Sequence, residues 1–112
     1  MKQVLVKVDW LHPAQGGRKE LPSGDSFQTV GKFPHQTMQE WLSDAWTVKI
    51  DWLDRDNSAS WYGLASFPAP NSPEDWLTAG GSFELFEGPR SIGAVSVLST
   101  AKAIQNLRLI AA

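Results

Sequence analysis

Few residues in this chain have the type and spacing to do chemistry. The only imidazoles are His12 and His35, each beside a proline. A structural metal site needs about four ligands at matched spacing, and His12 with Asp9 supplies two, so no metal is expected. Serines are frequent, but no Gly-x-Ser-x-Gly turn presents one as a nucleophile. Asp51, Asp54 and Asp56 gather carboxylates, yet Asp54-Arg55-Asp56-Asn57-Ser58 reads as a turn in which Asp accepts from backbone amides. Their spacing also lacks the Gly and the distal Glu of a calcium loop. Gly16-Gly17-Arg18-Lys19 lacks the upstream Gly and the following Ser or Thr of a phosphate-binding loop. No nucleotide and no other cofactor is therefore expected, and the chain does not read as an enzyme. Cysteine is absent, which removes thiolate catalysis, zinc–thiolate sites and disulfides and fits a reducing, cytoplasmic setting.

The residue types that remain are those of contact. The 112 residues include six Trp, five Phe and one Tyr. Trp10, Trp46 and Trp52 fall on the apolar phase of strand-like segments and read as core. Trp41, Trp61 and Trp76 are less tied to a phase and are the aromatic candidates for a binding surface, because Trp is enriched at interface hot spots. Lys2, Lys7, Arg18, Lys19, Lys32 and Lys49 are the cations an RNA partner would use. A net charge of −2 and a pI near 5.6 provide no basic field to draw nucleic acid in. No apolar run approaches the ~20 residues that span a bilayer, and no apolar leader with a small-residue cleavage site follows Lys2.

These residues must be positioned by strands. Residues 2–11 alternate, with Val4, Val6, Val8 and Trp10 on one face; residues 45–54 do the same with Trp46, Val48, Ile50 and Trp52. Further strands are expected over 26–33, 59–67, 82–88 and 90–99. Residues 12–25, with two Pro and three Gly, and 68–73 are loops. Residues 36–43 suit one or two helical turns with Met38, Trp41 and Leu42 on one side. Ser72-Pro73-Glu74-Asp75 reads as a helix start, Ser72 capping and Pro73 in the first helical position. Residues 100–112 are compatible with a short helix or a last strand. At 42% apolar and 20% charged residues, one globular domain over 1–112 is expected. About six strands with almost no helix indicate an all-β barrel or sandwich.

Two stretches carry a resemblance. In the first, Gly16-Gly17-Arg18 is followed by Pro22 and Gly24; in the second, Gly80 and Phe83 precede Glu87-Gly88, Arg90, Gly93 and Val95–Val97. Together with the Pro that ends residues 61–70, the chain over residues 2–98 resembles the third domain of translation elongation factor Tu, leaving 99–112 as a C-terminal extension. The resemblance implies a six-stranded antiparallel β-barrel, with short helical turns in its loops. It also suggests that Arg18, Glu87 and Arg90 meet near one rim, where a carboxylate–guanidinium pair would fix the loops. Gly24-Asp25-Ser26-Phe27 stands where the family has a Gly-Tyr-Arg-Pro-Gln-Phe segment, so most of the family's tRNA-facing group is missing. Glu87 and Gly88 match a turn that approaches tRNA in the family.

The expected function is that of a non-catalytic binding module acting through a protein partner, with the translation machinery as one candidate. An immunity or antitoxin protein that sequesters a basic toxin and a tRNA-binding accessory protein are the alternatives.

Overall fold

A computed structural model of the chain describes residues 2–55 and 59–100. Asp56, Asn57 and Ser58 of the expected turn, and residues 101–112 of the expected extension, lie outside the described residues. Six strands form a closed antiparallel barrel: β1 (Val4–Trp10), β2 (Ser26–Lys32), β3 (Trp46–Asp54), β4 (Ser60–Ser66), β5 (Ser82–Glu87) and β6 (Arg90–Thr100). Around the barrel they run β1-β4-β3-β2-β5-β6, and β6 returns to pair with β1. The expected all-β barrel is the fold observed.

Alternation sets which side chains fill the barrel. Val4, Val6, Val8 and Trp10 are all buried, while Leu5, Lys7 and Asp9 between them are only partly covered. Val8 pairs with Trp61 and with Val95, and Val6 with Gly63 and Val97, so one layer is filled from several strands. Aliphatic side chains fill the waist: Val4, Val6, Val48, Ile50, Leu85 and Val97. Aromatic side chains close both ends. At one end Trp10 meets Phe27, Trp52 and Trp61, with ring centroids 4.9–5.9 Å apart across this cluster. At the other, Phe33 packs on Phe67, Trp76 and Phe83. Edge-on and offset aromatic contacts of this kind add to the stabilisation from buried area alone.

The seams are unequal. β1 pairs with β4 over Val4–Asp9, whereas β2 meets β5 at only Val30↔Phe86, Gly31↔Leu85 and Lys32↔Glu84. Beyond that point the hydroxyl of Thr29 donates to the Phe86 carbonyl, carrying the connection one step further.

Among the described residues one α-helix, α1 (Met38–Ser43), lies on the outside. A capping box starts it: Thr37 Oγ1 accepts from the Glu40 amide at 3.1 Å, and Glu40 Oε1 accepts from the Thr37 amide at 2.9 Å. Its buried residue, Trp41, lays its ring 4.7 Å from that of Phe86, an outward residue of β5. The expected helix near Ser72 is a single 3-10 turn over Glu74–Trp76. Ser72 does not cap it: Pro73 holds the cap position with no side-chain bond, and the Ser72 backbone carbonyl accepts from the Glu74 amide. The turn is held by the Pro73 and Glu74 carbonyls, which accept from the Trp76 and Leu77 amides, and by the packing of Trp76 on Phe33 and His35.

Candidate functional site

The β1–β2 loop leaves β1 at the Trp10 end of the barrel and folds back on itself. Residues Pro13–Gln15 make a 3-10 turn whose first amides are met by His12: Nδ1 accepts from the Ala14 amide at 3.1 Å. Gly16 ends the turn with φ +97°, a conformation that a side chain disfavours. Gly17 then passes so close to the start of the loop that a Cβ there would sit 1.8 Å from the Leu11 carbonyl oxygen. Gly16 is thus used for its positive φ and Gly17 for close backbone approach.

This fold-back delivers Arg18 to the barrel mouth. Its Nη1 donates to Glu87 Oε2 at 2.9 Å, and its Nε donates to the Glu20 carbonyl at 3.0 Å. Its guanidinium lies over the Phe27 ring, 5.4 Å from the centroid, a favourable cation–π arrangement. Arg18 therefore connects β2, through Phe27, to β5, through Glu87, beside the stretch where the β2–β5 ladder has stopped. Glu87 and Arg90 face each other across the β5–β6 hairpin. Gly88 there has φ +58° and Pro89 a fixed negative φ, the sign pattern of a type II′ turn. The second arm of Glu87, Oε1, lies 3.7 Å from Arg90 Nη2. Arg18, Glu87 and Arg90 thus meet at one rim.

Two hollows flank this rim and share Arg18 and Lys19. One, about 420 Å³ and open, is bounded by Arg18, Lys19, Glu20, Glu87 and Arg90. The other, about 210 Å³, is mainly apolar: Trp10, Leu11, Leu21 and Ala59 line it, with Arg18 and Lys19 at its edge. Leu21 was not singled out by sequence pattern, because it lies in a loop without periodicity. Its exposure beside a barrel-end Trp is a tertiary fact.

The three tryptophans named as candidates for a binding surface do not line these hollows. Trp41 is 6% exposed, and its indole N–H donates to the Gly31 carbonyl at 3.1 Å. Trp61 is 7% exposed, enclosed by Trp10 and Trp52 and overlain by Arg55. Neither presents its ring to a partner; α1 and the closing of the barrel mouth cover them. Trp76 is half-buried against Phe33 and His35, at the barrel end opposite Arg18.

Other chemistry is sparse. Among the described residues no three His, Cys, Asp or Glu side chains gather as metal ligands. No helix among them is long and apolar enough to cross a membrane. Asp51 lies near Lys49, at 3.7 Å, on the outer face of β3, and Asp56 of the proposed carboxylate trio lies outside the described residues. The Glu40 carboxyl is held below its ordinary value, chiefly by the Thr37 amide. Comparison with models of protein families and with curated proteins finds no match.

Proposed function

We propose that this barrel is a non-catalytic binding module and that it works through protein contact at the Arg18–Glu87–Arg90 rim. The observation that carries this reading is the pairing of a fastened loop with an apolar hollow. Arg18 is held by Glu87, Glu20 and Phe27, so the walls around Trp10 and Leu21 are in place before a partner arrives. A surface ordered in advance loses less entropy on binding. The charged groups of the rim pair with one another and hold loops, an arrangement suited to docking. The likeness in sequence to the third domain of elongation factor Tu supports a partner in the translation machinery as the working candidate.

Affinity capture with three immobilised forms tests the proposal. The unaltered chain and a variant altered on the distant helix, Leu42→Ser, should retain the same protein. A rim variant, Lys19→Glu with Leu21→Ser, should lose it. Equal retention by all three would remove the rim from the function.

A further inference from the structure

The charge and shape of the rim indicate what kind of protein segment it would take. Three cations, Arg18, Lys19 and Arg90, stand against two carboxylates, Glu20 and Glu87, around the open hollow, so the rim is locally positive on a chain whose net charge is −2. Their bonding leaves capacity unused. The described bonds of Arg18 use Nε and Nη1. Arg90 has Glu87 at 3.7 Å, beyond hydrogen-bond length, and its side chain is 53% exposed. Lys19 is exposed and sits between the charged and apolar hollows. Next to these donors lies the apolar hollow of Trp10, Leu11, Leu21 and Ala59.

We propose that the rim binds an acidic protein segment presenting one apolar side chain. That side chain enters the Trp10–Leu21 hollow. Carboxylates flanking it pair with Lys19 and with the unused N–H groups of Arg18 and Arg90. The assignment rests on the protein-contact reading above and narrows it to a partner chemistry. Charge complementarity supports this occupant: an acidic segment is attracted to the rim and a basic one repelled. Nucleic acid fits less well. Trp10 is 7% exposed, leaving little ring face on which a base stacks. Elsewhere, the larger hollow of about 460 Å³ between Phe67 and Glu74 has no cationic side chain in its lining. The exposed Met38 and Leu42 of α1 have nothing beside them that indicates an occupant.

The test is a titration of the ¹⁵N-labelled chain with pooled peptides, Gly-Asp-Glu-Zaa-Glu-Asp-Gly, in which Zaa is Leu, Ile, Met or Phe. Saturable shifts are expected at the Trp10 indole and at the amides of Leu11, Arg18, Lys19 and Leu21. A glycine-centred peptide and a Lys-flanked pool should bind about tenfold more weakly. Lys19→Glu and Leu21→Ser, both at exposed positions, should each weaken the acidic pool by about fivefold or more while leaving the rest of the spectrum unchanged. Shifts as strong with the glycine-centred peptide, or none at these residues at millimolar concentration, overturn the proposal. Equal binding of the Lys-flanked pool at the same residues overturns the acidic preference and leaves the protein-contact reading standing. Shifts with an oligouridylate and with no peptide overturn both.

Discussion

Arg18 Nη1 and Glu87 Oε2 lie 2.9 Å apart although 69 residues separate them in the chain. The bond joins the β1–β2 loop to the β5–β6 hairpin where β2 and β5 have ceased to pair. Both side chains are about two-thirds covered, so water screens the pair less than a free surface ion pair. Arg18→Ala should lower stability by about 1 kcal/mol in urea unfolding. It should also speed hydrogen exchange at Gly16 and Gly17. Unchanged exchange there would show that the loop is held by other contacts. Arg18→Lys should recover the charge without the fork that reaches Glu87 and Glu20 together, and so only part of the stability.

Gly17→Ala tests the fold-back directly. A methyl group 1.8 Å from the Leu11 carbonyl oxygen meets backbone that cannot rotate away, so the loop must move as a unit. A loss of about 3 kcal/mol is expected by denaturant unfolding, larger than for Arg18→Ala. The Arg18–Glu87 contact should loosen with it. A loss well under 1 kcal/mol would mean that the loop has a second accommodating path.

Trp41 ties α1 to the barrel wall. Trp41→Phe keeps most of the apolar contact with Phe86 but removes the N–H that Gly31 accepts. A buried acceptor left without its partner costs about 1–3 kcal/mol. Thermal unfolding should show that loss, and the amides of Glu40 to Ser43 should exchange faster. A neutral outcome would place the holding force in the ring contact alone.

α1 should weaken in acid. Thr37 bonds favour the charged form of Glu40 and hold its carboxyl below the ordinary value. A lowered folded-state pKa contributes stability above the unfolded-state pKa, and that contribution is lost as pH falls through the folded-state pKa. Amide exchange across Met38–Ser43 should therefore rise below the usual carboxylate range. Glu40→Gln keeps an acceptor for the Thr37 amide and should remove this acid dependence while leaving α1 formed at neutral pH. Persistence of the same acid response in Glu40→Gln would assign it to another group.

The barrel was legible where period two was strict. Val4, Val6, Val8 and Trp10, and Val48 with Ile50, are buried as their alternation requires. The meeting of Arg18, Glu87 and Arg90 was not legible from any local pattern, because none relates residues 69 apart. The burial of Trp41 and Trp61 was legible only in part. Trp61 has the same phase as Gly63 and Ala65 on β4, and small residues give a weak alternation signal. Trp41 is covered by the way α1 lies on β5, where its ring meets the outward Phe86, a tertiary contact that strand alternation does not announce. The start of α1 carried a signature that the apolar spacing alone passed over, Thr37-x-x-Glu40. Ser72 looked like a cap by residue type, but Pro73 occupies the cap position and proline has no side-chain acceptor to offer.

Closing the barrel through β1 has a cost in time. Both neighbours of β1 lie far along the chain: β4 begins at Ser60 and β6 at Arg90. As the polypeptide leaves the ribosome, Val4, Val6, Val8 and Trp10 emerge well ahead of either neighbour and wait several seconds for it at ordinary synthesis rates. During that interval the apolar face of β1 has no native cover and its unpaired edges are open to other chains.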